Sequence, residues 1–312
     1  MPDASPLHFA FIINPTAGRM HLTDLGDKIN KFFKDKPNGH TAEVLMTGYG
    51  GHASELAADL AERHGRRLIC FACGGDGTAQ EVANGIAGTD SAMSILPIGT
   101  ANDFARAALS TSDPDSLLQM VLQPRIRDID IIDVDGRICL NIASLGFDTK
   151  VQKIASAITA KVRWLGSMSY PFAIIISLFG QRAYPMHYRL NTIDTEGKAG
   201  LAESDASFIL AAICNGRYYG GGFNPAPMAS LDDGKLDFCL VDSLPLRRML
   251  PLIPLYKKGR HLADPAVHCW QVTGGTITAP SGNLSGNLDG EAFERPSINF
   301  QIIPRGLRFA FY

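Results

Sequence analysis

The sequence predicts an α/β domain with a mainly parallel sheet, followed by a domain built as an antiparallel β-sandwich or barrel. Three observations carry this reading. Up to Gln123-Pro124, short apolar runs alternate with helical patterns, the rhythm of strands joined by helical crossovers. Beyond that point, alternating apolar segments and an Asp-Gly turn signal take over, as in hairpins. A chain of 312 residues, 46% hydrophobic and 19% charged, has enough apolar surface for one large core or two modest ones.

The elements follow in order. Phe9–Ile13 is an apolar strand, His21–Phe33 a helix and Ala42–Met46 a short strand. Ser54–His64 carries an apolar stripe through Leu56, Leu60 and the alanines, which makes it a helix. Leu68–Cys73 is the next strand, Ala79–Ile86 a helix, Ser94–Ile98 a strand and Asp103–Leu109 a helix. In the second half, Ile129–Val134, the turn Asp135-Gly136 and Ile138–Ile142 read as strand, turn, strand. Further strands are expected at Met186–Ile193, Ser207–Ile213, Phe238–Val241, Val267–Val272, Thr276–Ala279 and Ile298–Ile303, with helical stretches near 150–180 and 246–262. The expected domains are 1–123 and 124–303, with a last strand near 304–312 that closes the second domain or returns to the first.

Composition removes several function classes. A net charge of −2 argues against a nucleic-acid binder, which usually shows a basic excess. Neither a secretory signal nor a run of 18 apolar residues is visible. Of the six cysteines, Cys70 and Cys73 form a lone CxxC inside an apolar strand, without the second pair a zinc site needs. Apolar, unpaired cysteines fit a reducing cytoplasm.

Three loops follow strands in the first domain: Asn14-Pro-Thr-Ala-Gly18, Gly74-Gly-Asp-Gly-Thr78 and Gly99-Thr-Ala-Asn-Asp103. In a parallel sheet such loops gather on one rim, where open α/β sheets bind ligands. Glycines let the backbone approach a ligand, and the helix that follows offers free N–H groups to a phosphate. Asp76 would repel a phosphate directly, so its presence suggests Mg²⁺ or water in between. The simpler reading is a structural strand-to-helix turn, which three such loops in register weaken. The P-loop, GxGxxG, HRD, DFG, HExxH and GxSxG signatures are absent.

These loops resemble the diacylglycerol kinase catalytic-domain family, shared with sphingosine and ceramide kinases and the bacterial lipid kinases. The resemblance runs through Asn14-Pro-x-x-Gly18, Gly74–Thr78 and Pro97-x-Gly-Thr-x-Asn-Asp103. It continues in Asn141-Ile-Ala-Ser-Leu-Gly-Phe-Asp148, Gly220-Gly-Gly-Phe-Asn-Pro225, Asp232-Asp-Gly-Lys-Leu-Asp237 and Leu288-Asp-Gly-Glu291. It implies an α/β nucleotide domain, a β-sandwich domain and an active site in the cleft between them. It also implies ATP contacts from Asn14, Pro15, Thr16, Ala17, Gly18, Thr47, Gly74, Gly75, Asp76, Gly77, Thr78, Ala79, Gln80 and Thr100. Glu291 would be the catalytic base. A structural Mg²⁺ would sit at Ser230, Asp233 and Lys235, partly through backbone carbonyls. Expected partners are ATP and a membrane lipid met at the bilayer surface, with peripheral membrane contact and a homodimer left open.

Phosphoryl transfer to a lipid alcohol needs a proton acceptor and charge neutralisation. Asp289 and Glu291 lie two apart, so in an extended segment both carboxylates point the same way. One can take the alcohol proton while the other holds metal or orients, and Asp76 joins them as a candidate catalytic group. The plainer reading is a polar Asp-Gly turn between strands. Asp232-Asp233-Gly234 likewise reads as a hairpin turn. For membrane contact, Lys161–Gly180 and the run Met249–Tyr256 flanked by Arg247-Arg248 and Lys257-Lys258 mix apolar and cationic residues. Both also read as ordinary packing, and Pro251 and Pro254 weaken a regular helix in the second. The alternatives to a lipid kinase are a soluble-substrate kinase related to NAD kinase and a nucleotide-binding regulator without catalysis.

Overall fold

A computed structural model describes residues 6–17, 22–35, 39–161, 169–180 and 182–312. The chain divides into two compact units: Met1–Ile129 with Arg305–Tyr312, and Asp130–Pro304.

Unit 1 opens with β1 (His8–Ile13), α1 (Leu22–Asp35), β2 (Thr41–Met46) and α2 (His52–His64). It continues with β3 (Leu68–Gly74), α3 (Asp76–Ile86), β4 (Ala92–Pro97), α4 (Asp103–Ala108) and α5 (Pro114–Met120). β2, β1, β3 and β4 are neighbours in that order, all parallel. β3 and β4 are buried along their whole length, because helical crossovers cover both faces of such a sheet and leave no polar face. Phe9, Phe11, Ile69 and Phe71 meet Leu25 and Ile29 of α1 in the core. Phe11 and Phe71 stack at 4.8 Å between ring centroids, so truncating either to Ala should cost about 3–5 kcal/mol.

α5 was not anticipated. Its signal is Asp113-Pro114: the Asp113 carboxylate accepts bonds from Ser116 N (2.8 Å) and Ser116 Oγ (2.6 Å), and Pro114 opens the first turn. These bonds hold the Asp113 carboxyl below its ordinary range.

Unit 2 carries the end of β5 (Arg125–Val134), then β6 (Arg137–Cys139), β7 (Ile142–Gly146), α6 (Phe147–Lys161) and α7 (Ser169–Ser177). After these come β8 (Tyr184–Ile193), β9 (Ala199–Cys214), β10 (Leu236–Asp242), α8 (Leu246–Lys257), β11 (Val267–Thr278), β12 (Leu284–Leu288), β13 (Glu291–Arg295) and β14 (Ser297–Phe311). Two long strands make the sandwich. The first part of β9 pairs with β8 and its last residues with β7 and β10. β11 pairs first with β10 and then with β8 and β14. Each therefore passes from one layer into the other, and Tyr188, Phe208, Phe238 and Phe300 fill the space between. A register shift between Val272 and Gly274 bends β11, which is why its sequence reads as two strands.

β14 also reads as two segments but is one strand. Ser297–Gln301 pair antiparallel with β11, and Arg308 and Phe309 pair parallel with β4. Ser110 Oγ donates to the Tyr312 carbonyl at 2.6 Å, the Tyr312 hydroxyl to Val121 O at 3.1 Å, and Arg127 lies 4.2 Å over the Phe311 ring. Pro251 and Pro254 do not prevent a helix: α8 forms with both inside it. Its Met249, Leu252 and Tyr256 are buried in the unit's second core cluster, and this burial offsets the proline penalty of ~3 kcal/mol.

Candidate active site

In unit 1 the strand-end loops meet. Gly74 O accepts from both Ile98 N (3.1 Å) and Gly99 N (3.0 Å), and Asn14 N donates to Cys73 O (3.0 Å). A Cβ on Gly99 would lie 2.4 Å from Gly75 Cα, so the two backbones are too close for any side chain there. The Asn14 amide donates to Thr78 Oγ1 at 3.2 Å, while its carbonyl oxygen accepts from Thr16 N (3.0 Å) and Thr16 Oγ1 (2.8 Å). Thr47 N donates to Ile13 O at 2.9 Å, which brings Thr47 beside the start of the Asn14 loop. Pro15, Thr16, Gly77 and Thr100 are exposed and Ala17 half-buried, while Thr78, Ala79 and Gln80 are buried on α3. Gly18 lies outside the described residues. Both polar atoms of the Gln80 amide are buried without a partner, an unusual state that a bound polar ligand would relieve.

Asp76 opens α3 and is half-buried. Its Oδ1 accepts from Phe104 N at 3.2 Å in the first turn of α4. Burial pushes its pKa up, while amide bonds from Phe104, Asp103 and Asn102 pull it down. Asp76 therefore ties the Gly74–Thr78 loop to the Gly99–Asp103 loop.

In unit 2 the expected carboxylate pair is separated. Asp289 and Glu291 are not in one extended segment, because Asp289 (φ 47°) and Gly290 (φ 100°) turn the chain between β12 and β13. Asp289 points inward, where it accepts from Leu140 N (2.5 Å), Asn141 N (3.0 Å) and Ile142 N (2.9 Å). Burial raises its pKa to about 6 against these bonds. Its oxygens are taken up by backbone amides, which corrects the expectation that the Asp289 and Glu291 carboxylates point the same way. Glu291 is half-exposed and forms an ion pair with Arg137, a residue the sequence reading passed over. A small recess beside this pair is lined by Val134, Leu288, Phe293 and Ile298, with Arg137 and Arg295.

Asp148 was also missed, although it closes the Asn141–Asp148 motif. Burial raises it to about 6, opposed by hydrogen bonds from Ser144, Thr149 and Tyr219, and its Oδ2 is buried without a partner. Asn287 Nδ2 donates to Ser144 Oγ at 2.6 Å, and Asn141 Nδ2 to Tyr218 O at 2.8 Å. A buried polar network thus links β7, β12, the start of α6 and the Tyr218-Tyr219 segment.

At the Asp232-Asp233 turn, Ser230 Oγ donates to Asp232 Oδ1 (2.9 Å) and Lys235 N to Asp233 Oδ1 (3.1 Å). Lys235 Nζ donates to Gln271 Oε1 at 3.0 Å, so its ammonium turns away from this point. Asp130, not anticipated, holds the turn: Oδ2 accepts from Gly234 N at 2.7 Å. Burial first, then the neighbouring Asp130 and Asp232 charges, raise Asp233. Among the described residues, the side chains here do not by themselves converge into a three-ligand cluster.

Comparison with known proteins decides the family. Residues 8–134 match the diacylglycerol kinase catalytic domain and residues 141–311 the YegS C-terminal NAD kinase beta sandwich-like domain. A probable lipid kinase YegS-like from Pseudomonas aeruginosa is 34% identical, over 86% of this chain and 84% of the relative. The chain belongs to the YegS-like family of diacylglycerol kinase-type kinases. A diacylglycerol kinase of Bacillus subtilis is 29% identical, over 90% of this chain and 88% of that one. The crystal structure of a diacylglycerol kinase from Bacillus anthracis superposes with a TM-score of 0.69 at 18% identity, covering 98% and 97% of the two chains. That likeness agrees with the α/β unit and the β-sandwich unit found here. Among the described residues no helix is long and apolar enough to cross a membrane.

Proposed function

We propose that this kinase transfers the γ-phosphoryl group of ATP to the hydroxyl of a membrane lipid, with Glu291 as the general base. The observation that carries the donor half is the contact of the Asn14, Gly74 and Gly99 loops at the start of α3. The N–H groups of a helix's first turn have no acceptor within the helix, and glycine-bearing loops beside them suit phosphates. Asn14, Thr47, the Gly74–Gln80 stretch and Thr100 are the residues assigned to the nucleotide, with Gly18 following by sequence alone. ATP supplies the phosphoryl group, and Mg²⁺ the charge neutralisation, when bound.

Of the two carboxylates at the β12–β13 turn, Glu291 is the accessible one, since Asp289 accepts from three amides. Arg137 orients the Glu291 carboxylate, which accepts the alcohol proton. Asp289 supports this placement by fixing the turn that presents Glu291. The Asp232-Asp233 turn suits a supporting divalent cation: the Asp233 carboxylate and the carbonyl oxygens of Ser230 and Lys235 form an all-oxygen set, and crowded carboxylates favour positive charge there.

The lipid acceptor follows from the names of the relatives and from α7. Phe172, Ile175 and Ile176 on α7, at i, i+3 and i+4 spacing on one face, and Phe179 just past the helix end are 48–75% exposed. A helix face of this kind suits the acyl boundary of a bilayer.

The test is γ-labelled ATP with Mg²⁺ and a panel of lipids in mixed micelles, beside NAD as a soluble acceptor. Label should enter a lipid and fall at least ~100-fold in Glu291→Gln, while Gly99→Ala should lose nucleotide binding. Label entering NAD and no lipid would establish the soluble-substrate reading instead.

A further inference from the structure

We propose that His8, Glu43 and His64 form a binding site for one divalent transition-metal ion of the zinc type, on the rim of unit 1 away from the phosphate loops. His8 opens β1 and Asn14 follows its other end, a separation of about 20 Å along a strand. The site is therefore distinct from the nucleotide cradle, and the proposal does not depend on the reaction assigned above.

The fold assembles the three ligands from separate elements. In the parallel register of β1 and β2, His8 lies beside Thr41 and Ala10 beside Glu43. Side chains two apart share a face, so His8 and Glu43 project together. His64, the last residue of α2, reaches the same point. His8 Nε2 lies 2.8 Å from Glu43 Oε1, and His64 Nε2 lies 3.7 Å from that oxygen. One donor atom of each lies within 4.8 Å of the others. The side chains are 12%, 29% and 20% exposed, sheltered but with a side open for a water as fourth ligand.

Ligand type selects the metal. Two imidazoles and a carboxylate suit Zn²⁺ and its first-row neighbours, whereas Mg²⁺ and Ca²⁺ prefer oxygen alone. His8 Nδ1 lies 2.7 Å from Thr41 Oγ1, the outer bond that orients a ligating imidazole and leaves Nε2 to the metal. Burial, then the charges of His8 and Arg63, lowers the His64 pKa, with Glu43 opposing and Arg67 adding.

Two features of the metal-free geometry must change. The His8 and His64 rings stack at 3.8 Å and 5°, and a metal cannot lie in the plane of both until one ring turns. Arg63 Nη1 lies 3.6 Å from Glu43 Oε1, but its Nε already holds Asp59 Oδ2 at 2.9 Å, so the guanidinium has another partner. Binding is a ligand exchange without redox change. Each imidazole donates one nitrogen lone pair and Glu43 one oxygen, with the ring proton of His8 carried on Nδ1 toward Thr41 Oγ1. The metal would then clasp β1, β2 and the end of α2.

The full-length protein, stripped by chelation and held in millimolar Mg²⁺, should take up Zn²⁺ as one tight equivalent and gain several degrees in Tm. Co²⁺ in its place should give visible d–d bands without thiolate charge transfer. Glu43→Gln and His64→Ala should each weaken Zn²⁺ binding about 100-fold, and Thr41→Val about 10-fold; His187→Ala, at an exposed His–Asp pair, should not. Unchanged Zn²⁺ affinity in Glu43→Gln and Thr41→Val would overturn the proposal. So would a thiolate band from Co²⁺, which would place the ion at the exposed Cys269.

Discussion

Replacing Asp289 by Ala separates its two possible roles. The carboxylate accepts from the amides of Leu140, Asn141 and Ile142, at 2.5, 3.0 and 2.9 Å. Removing it leaves three N–H groups at the β6–β7 junction without acceptors. Each lost bond costs about 1 kcal/mol or more, since a buried donor left unpaired carries its desolvation penalty. Against this, the substitution removes a buried charge whose pKa is already raised to about 6, and this relief offsets part of the loss. The net expectation is ~2–3 kcal/mol of destabilisation. At roughly 2–4 °C per kcal/mol for a domain of 150–250 residues, Tm should fall by about 4–12 °C. Activity should drop less than in Glu291→Gln when both are assayed well below their Tm. Calorimetry on the variants, paired with the labelled-ATP assay, reads both quantities. If Asp289→Ala melts within about 1 °C of the parent yet is as inactive as Glu291→Gln, the architectural role is wrong and Asp289 acts in the chemistry.

Two further outcomes are expected. Asp148, Asp237 and Asp289 all have pKa values raised to about 6 from 3.8. The folded state therefore binds more protons than the unfolded chain between those values, and these groups lower stability as pH rises through the window, with the full penalty present above it. Asp148→Asn should flatten Tm against pH between about 4 and 6; an unchanged slope would show that Asp148 is not held in a raised state. For the α7 face, Ile175→Glu with Phe179→Glu should reduce co-sedimentation with anionic vesicles about 10-fold or more, because two exposed apolar anchors become repelled charges. Equal sedimentation at unchanged Tm would remove α7 from the membrane contact.

The elements of unit 1 were legible because parallel strands, buried on both sides, read as short uninterrupted apolar runs between helical stripes. Phe9–Ile13 and Leu68–Cys73 were each placed to within a residue of β1 and β3. The second half was harder for a physical reason. Its long strands change layers, so β11 and β14 present different faces along their length and break the period-two signal. The hairpin β12–β13 was missed because Gly286, Asn287 and the Asp289-Gly290 turn interrupt its apolar pattern. Of the membrane segment read at Lys161–Gly180, residues 162–168 lie outside the described part, while the α7 portion is seen with its apolar face exposed.

The site shows the same limit at the level of single side chains. Like charges two positions apart share a direction only if the backbone stays extended. The sequence Asp289-Gly290-Glu291 contains its own warning, since Asp-Gly is a preferred turn pair with positive φ. Once the turn forms, the carboxylates diverge: Asp289 goes into the amides of β7 and Glu291 toward Arg137. Asp76 follows the same logic, as its carboxylate reaches the first turn of α4 across two loops that touch at Gly75 and Gly99. In both cases the motif residue ties backbone segments together, because an acidic side chain next to glycine is well placed to accept backbone N–H groups. The chemical burden then falls on the carboxylate that the turn leaves accessible, which is why Glu291, beside Arg137, carries the proposed proton transfer.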